Sequence, residues 1–277
     1  MHRTTLRVGL IGAGRAGTVV ARALERVGHH CVAVHAVSDA ARARAARMLP
    51  SADLRDPIAV CAAADLVIVA VPDDAIAGLV SGLVAAGAIT ARHLVMHLSG
   101  RHGVAVLAPA AAVGATALAV HPAMTLHGRP EDVARLQDCP FAVTASGDAL
   151  AIGLSLVYEM GGVPTEVAED DRVRYHAALA HASNHLVTVI AQAREVLAGL
   201  GFPDPGATLR PLVEASADGA LREGDAALTG PIARGDLDTV RAHIAALAAA
   251  PGIPGTTVDA YRALAAATAA RHGVEAP

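Results

Sequence analysis

The hexapeptide Gly12-Ala13-Gly14-Arg15-Ala16-Gly17 constrains this chain more than any other segment. It carries G-x-G-x-x-G spacing directly after a strand signal at residues 6–11 and directly before a helical pattern at 15–27. Each glycine in such a turn has a mechanical task. The first permits a tight bend, the second lets backbone N–H groups approach a pyrophosphate, and the third allows helix and strand to pack closely. In that context Gly12, Ala13, Gly14, Arg15, Ala16 and Gly17 are read as a dinucleotide-binding turn; the bland alternative is a glycine turn kept for packing alone.

The strand and helix signals continue to alternate. A strand pattern at 31–37 is followed by a helix near 40–48, the apolar strand 65–71, a helix after Pro72, and strands at 94–98 and 115–121. Further strands at 141–144 and 163–167 flank a helix at 148–160. Near-continuous apolar strands joined by helices imply a parallel sheet covered on both faces. Strand signals then stop. Residues 170–200 form one helical pattern without Pro or Gly until Gly199, a rod of roughly 45 Å on ideal geometry. Helices at 205–222, 236–249 and 256–272 follow, separated by Gly/Pro clusters. The reading is an α/β chain: a Rossmann-type dinucleotide-binding domain over 1–167, then an all-α substrate or dimerisation domain over 168–277.

Composition narrows the function classes. With 53% hydrophobic but only 2% aromatic residues, the apolar content is mostly Ala, Val and Leu, which suits close-packed helices and buried parallel strands. The charge-free stretch 103–120 is broken by Pro109 and Gly114, which argues against a membrane span. A net charge of -4 without long charged runs argues against a nucleic-acid or anionic-membrane surface. The apolar run after Arg7 is short and soon meets Arg15, so no signal or transit peptide is expected and the cytoplasm is the default address. Cys31, Cys61 and Cys139 are odd in number and lie in apolar segments, which suggests buried small hydrophobes rather than disulfides or zinc ligands.

Cofactor choice turns on the end of the second strand. An Asp or Glu there binds the ribose hydroxyls of NAD. Here the place falls at Val37, Ser38 and Asp39, and Ser38 with Arg42 and Arg44 would suit a 2′-phosphate. NADP(H) is therefore preferred over NAD(H), with Asp39 the opposing sign and an exposed helix face the other account of the arginines.

Substrate-side candidates sit at the other strand ends. Val71 and Pro72, then Ser99 and Gly100, end strands on the same sheet edge as the glycine turn, and His121-Pro122 ends the next. Ser99 either hydrogen-bonds a carboxamide or substrate, or satisfies its own turn. His121 either touches substrate or pins a loop. On the long helix, His176, His181 and Asn184 share one face about 140° wide if the helix is ideal. His176 and Asn184 could protonate and orient a reduced carbonyl or imine; helix contacts are the alternative. His181 and His185 have metal-ligand spacing but lack the Glu of an H-E-x-x-H motif, so no metal is expected. Arg234, between two glycine-bearing turns, either clamps a substrate carboxylate or pairs with a neighbouring helix.

Taken together, the glycine turn, Val-Pro-Asp-Asp at 71–74, His-Leu-Ser-Gly at 97–100, His-Pro-Ala-Met-Thr at 121–125, Tyr-His-Ala-Ala-Leu-Ala-His-Ala-Ser-Asn-His-Leu at 175–186 and Thr-Gly-Pro-Ile-Ala-Arg-Gly-Asp at 229–236 resemble the Rossmann-like proteins that carry the domain of unknown function DUF2520. These belong with the broad 6-phosphogluconate dehydrogenase-like superfamily, alongside ketopantoate, pyrroline-5-carboxylate reductases and prephenate dehydrogenases. The resemblance implies a homodimer through the C-terminal helices and a Lys–Asn pair one turn apart on the helix crossing the cofactor cleft. Asn184 can take the Asn place, but the earlier position is Ala180 and the chain has no Lys, so the inherited mechanism does not transfer intact. It also implies reduction of a small anionic keto or imino acid, with 2-dehydropantoate to pantoate the specific expectation. Imine or other keto-acid reduction is the alternative, and a non-catalytic NADP(H) sensor or interaction protein is the rival from another class.

Overall fold

A computed structural model describes residues 5–274 of the chain. They divide into two compact units, one ending at Ala180 and one beginning at His181.

The first unit is a sheet of eight strands in the order β3-β2-β1-β4-β5-β6-β7-β8. The strands are β1 Arg7–Ile11, β2 His30–His35, β3 Asp53–Leu54, β4 Leu66–Val69, β5 Leu94–His97, β6 Thr116–Pro122, β7 Pro140–Thr144 and β8 Val163–Glu166. Its helices are α1 Arg15–Arg26, α2 Asp39–Met48, α3 Pro57–Ala63, α4 Asp73–Ala85, α5 Ala108–Ala112, α6 Glu131–Ala134, α7 Ala149–Glu159 and α8 Arg172–Ala180. The first six strands follow the order of a doubly wound dinucleotide-binding sheet. Side chains alternate across each strand, so Leu66 and Ile68 of β4 enter the core shared with α1, α2 and α7, while Val67 and Val69 enter the one shared with α3 and α4. Burial on both faces explains why these strands read as continuous apolar runs.

The all-parallel expectation fails at one join: β7 runs antiparallel to β6, and β8 is parallel to β7. A parallel return needs a crossover, usually a helix long enough to cross the sheet. The β6–β7 connection contains only the four-residue α6, and the chain doubles back instead. Three elements escaped the sequence reading, β3, α3 and the four-residue α6. β3 is a two-residue edge strand, too short for any periodicity. α3 did carry a start signal, Asp56 capping the Ala59 amide ahead of Pro57 in the first turn.

All three cysteines are free and buried, and burial pushes the thiols of Cys31 and Cys61 up to about 12 and about 11. Residues 104–107 form a short 3-10 turn that leads into α5. Among the described residues no helix is long and apolar enough to cross a membrane.

The run at 170–200 is helical but not uniform. It comprises a 3-10 turn Glu169–Asp171, α8, a π turn His181–His185 and α9 Leu186–Gly199. A π turn inserts residues relative to α geometry, so the 100° wheel that grouped His176 with His181 and Asn184 does not hold through it.

The second unit contains the π turn, α9, α10 Pro205–Glu223, α11 Leu237–Ala249 and α12 Gly255–His272. Neither α9 nor α10 buries a residue fully, and Leu186, Val187, Leu212 and Leu221 are exposed.

Candidate functional site at the strand ends

The glycine turn has the geometry its spacing predicts. Gly12 has φ +96°, and a Cβ there would stand 2.5 Å from the Ala70 carbonyl oxygen. Gly17 is fixed by packing: a Cβ would lie 2.6 Å from Ala70 Cβ and 2.9 Å from the Gly12 carbonyl oxygen. At Gly14 the nearest neighbour of a Cβ would be 3.6 Å away, so the middle glycine leaves open space. Gly14 is also the N-cap of α1 and supplies no side-chain cap, and the first turn has no acidic residue. The leading amides of α1 are thus free for an anion, with the helix dipole behind them. A dinucleotide pyrophosphate fits this cradle.

At the end of β2, Ser38 accepts from the Ala41 amide at 3.2 Å and so caps α2. Arg42 Nε donates to the Ala36 carbonyl at 3.3 Å, and its terminal nitrogen lies 3.8 Å from Asp39, whose side chain is fully exposed. Arg44 points elsewhere, donating at 2.7 Å to the Ala13 carbonyl of the glycine turn. Arg47 donates at 3.1 Å to the Gly128 carbonyl, and a Cβ on Gly128 would lie 3.2 Å from Arg15 Cα. The loop after β6 therefore borders the glycine turn, a neighbour the sequence did not signal.

Val71 and Pro72 follow β4, and Pro72 N-caps α4. Ser99 is buried and held from three sides. Its amide donates to His97 Nδ1 at 3.1 Å, its hydroxyl accepts from the His102 amide at 3.2 Å, and its carbonyl accepts from Arg172 at 3.5 Å. The hydroxyl thus serves its own turn while keeping its proton to donate. His97 is the peg of this loop, since Nε2 also donates to the Gly103 carbonyl at 2.8 Å. Both ring nitrogens are used by the neutral form, and burial lowers the His97 pKa from 6.5 to about 4. Protonation would break the bond from the Ser99 amide.

The sign of that effect follows from linkage. A histidine whose folded pKa lies below its unfolded value stabilises the protein above about pH 6.5, and the contribution is lost as the pH falls towards 4. His97 alone accounts for about 3 kcal/mol over that window, at 1.36 kcal/mol per pKa unit. Urea unfolding between pH 7 and 4 is expected to show falling stability, with a shallower slope in His97→Asn. Equal slopes would remove His97 from the account.

The densest polar cluster lies at the end of β6. His121 Nδ1 is 3.0 Å from the Tyr175 hydroxyl, and the rings meet edge to face. His176 packs edge to face on the other side of His121, with ring centroids 5.9 Å apart. Gly100 makes this possible, because a Cβ there would come within 2.5 Å of His176 Cδ2 and 2.9 Å of His121 Nε2. Burial first, then His176 and Arg172, lower the His121 pKa from 6.5 to about 4. Beneath the cluster Arg172 is completely buried. It donates to Thr144 Oγ1 at 2.7 Å and to the carbonyls of Ala119 at 2.7 Å, Ala142 at 3.3 Å and Ser99 at 3.5 Å.

Sequence reasoning named His121, His176 and Ser99 but passed over Tyr175, His97 and Arg172. Tyr175 stood in the motif beside His176, and an Arg opening a helix is ordinarily a surface residue. From β1 to β6 the sheet edge crosses three inter-strand steps, roughly 14 Å, so the glycine turn and the His121 cluster line one edge.

The remaining candidates belong to the second unit. His181 Nδ1 is 2.7 Å from His185 Nδ1 within the π turn. Asn184 is exposed there, and its carbonyl accepts from Thr188. Arg234 is exposed in the turn before α11, where its charge helps to lower the Asp236 pKa, after the Thr239 hydrogen bonds. Asp236 caps α11 at the Thr239 amide, 3.1 Å away.

Two family matches divide the chain before β7 rather than at Ala180. Residues 1–122 match the Rossmann-like domain and residues 139–268 the domain of unknown function DUF2520. No curated protein sequence matches significantly. Among solved structures, the chain is similar to one described as an NADP oxidoreductase from Bacteroides fragilis, with 23% identity, TM-score 0.81, and 96% and 99% of the two chains covered. It is similar to an imine reductase from Myxococcus stipitatus in complex with NADP+, at 19% identity, TM-score 0.70, and 96% of each chain covered. A variant imine reductase from the same organism in complex with NAD+ aligns at 20% identity, TM-score 0.62, and 98% and 96% coverage. At these identities the likeness establishes the fold.

Proposed function

We propose that this chain, a Rossmann-like protein carrying the DUF2520 domain, is an NADP(H)-dependent oxidoreductase that reduces the carbonyl or imine carbon of a small anionic substrate. One observation carries the reading: an uncapped glycine turn and a half-buried His–Tyr–His cluster lie along a single strand-end edge. Fold alone would not suffice, because this scaffold hosts many functions.

Reduced nicotinamide, when bound, supplies the hydride. The protein's own part is to hold the pyrophosphate at the α1 amides, shape the pocket at Gly100, and deliver a proton from the cluster at His121. Of the groups that act on His121, Arg172 is the permanent cation and Asp73 the carboxylate, while the ring of His97 is neutral. Similarity to imine reductases supports an imine substrate; 2-dehydropantoate rests on the sequence resemblance alone.

The test is oxidation of NADPH and of NADH with 2-dehydropantoate and with a small cyclic imine. Turnover of either substrate supports the reading and selects its branch. Binding of NADPH without turnover of any keto acid or imine would favour a cofactor sensor instead. Preference for NADPH is assigned to Arg42, whose terminal nitrogens pair, among the described residues, with the exposed Asp39. Arg42→Ala is expected to raise KM for NADPH about 10-fold, the loss of one charge-assisted hydrogen bond, and to leave KM for NADH unchanged. Equal effects on both cofactors would remove Arg42 from that role.

A further inference from the structure

The proton path of the cluster can be argued further, on the basis of the reductase reading. We infer that His121 and Tyr175 form a two-residue proton relay: His121 Nε2–H protonates the substrate atom left negative by reduction, while the Tyr175 hydroxyl refills the ring through Nδ1.

Geometry sets the direction. Nδ1 is the ring nitrogen within hydrogen-bond distance of Tyr175, at 3.0 Å. Nε2 packs against Gly100, where a Cβ would come within 2.9 Å of it, and it has no hydrogen-bond partner among the described residues. One nitrogen therefore faces an internal hydroxyl, and the other keeps its hydrogen-bonding capacity for a substrate.

The chemistry requires the second residue. His121 is held neutral near pH 7, so it has no imidazolium proton to give. Losing the Nε2 proton alone would leave an imidazolate, which is far too basic to form. If Nδ1 gains the Tyr175 proton as Nε2 loses its own, the ring stays neutral throughout and the negative charge arrives on the tyrosine oxygen.

Arg172 gives that charge a place. It lies three residues before Tyr175 on α8, hence on the same helix face. Its guanidinium is wholly buried, and its hydrogen bonds go to three carbonyls and one hydroxyl, none of them an anion. The carboxylate that acts on it from a distance, Glu169, is spent on the amides of Val104 and Ala105. A buried cation lacking a bonded counter-charge is costly, and a tyrosinate would supply one. The groups around the pair are otherwise His176, His97 and Asp73 near His121, and Cys139 near Tyr175; burial, the largest influence, holds the Tyr175 pKa above its ordinary value despite Arg172, so the phenol gives up its proton only in concert with transfer to Nδ1.

The balance closes. The substrate gains two electrons with the hydride and one proton from His121 Nε2. The ring then holds its proton on Nδ1, hydrogen-bonded to tyrosinate, and one proton from solvent resets the pair. The relay carries protons only.

Nitrogen-15 spectra of the histidine rings in the full-length, cofactor-free protein test the starting state. The expected result is a protonated Nε2 and a bare Nδ1 at His121, becoming a mixture of tautomers in Tyr175→Phe. A protonated Nδ1 in the wild-type protein overturns the relay, whatever the substrate is. With the substrate that turns over best, Tyr175→Phe should lower kcat about 100-fold, the usual scale of a lost proton donor, with NADPH affinity kept. Fluorotyrosine at position 175, a more acidic phenol of nearly the same shape, should restore turnover and move the basic limb of the pH profile to lower pH. Wild-type kcat in Tyr175→Phe, or an unmoved profile with fluorotyrosine, would show that Tyr175 acts only structurally. Absence of turnover in the wild-type protein defeats the reductase reading, and the ring spectra still judge the relay.

Discussion

Arg172→Ala is expected to destabilise the N-terminal unit by about 3 kcal/mol, a large share of the about 5–15 kcal/mol that holds an ordinary domain together. The guanidinium ties the ends of three strands to α8, bonding Ser99 after β5, Ala119 in β6, and Ala142 and Thr144 in β7. Truncation removes these donors and leaves buried acceptors short of partners, each costing about 1–3 kcal/mol unless water enters. Removing the buried charge returns part of that cost, which keeps the expected loss below the sum. Urea unfolding followed by far-ultraviolet circular dichroism would measure it. A change below about 0.5 kcal/mol, the scale of an ordinary surface substitution, would mean that Arg172 does not fasten this corner.

Gly12→Val is expected to abolish measurable NADPH binding, a loss of at least about 100-fold, or about 2.7 kcal/mol. The backbone at φ +96° resists any β-branched side chain, and the Ala70 carbonyl already occupies the space that Cβ would need. The turn must therefore move, and the α1 amides move with it. Titration of NADPH fluorescence on the folded variant is the measurement. Unchanged affinity in a variant of normal stability would place the cofactor elsewhere, and with it the whole strand-end reading.

How far the sequence could be read depended on whether a feature is local. The glycine turn was legible because spacing, the preceding strand and the following helix all lie within 27 residues. The helices α10, α11 and α12 were likewise bounded by their own Gly and Pro signals. The antiparallel β7 was not legible, since strand direction is set by what the connection can span rather than by the strand's own residues. The π turn at His181–His185 was invisible for a related reason: its residues have no distinct propensity, and an ideal wheel was the only available assumption. At the site, His121 and His176 could be suspected from their places in sequence, but their contact across Gly100 joins residues far apart in the chain. Arg172 was hidden most completely. Nothing in the composition of α8 distinguishes an arginine fastened to strand carbonyls from Arg174 two positions on, which is exposed and pairs with Asp171.

The three arginines of α2 differ in how freely they can change. Arg44 grips the Ala13 carbonyl and Arg47 the Gly128 carbonyl, so either substitution disturbs the phosphate turn or the loop bordering it. Arg42 holds the Ala36 carbonyl beside it and lies 3.8 Å from the exposed Asp39. With cofactor preference assigned to Arg42 as proposed, that preference can change at position 42 alone, while Arg44 and Arg47 are tied to the scaffold through their carbonyl partners.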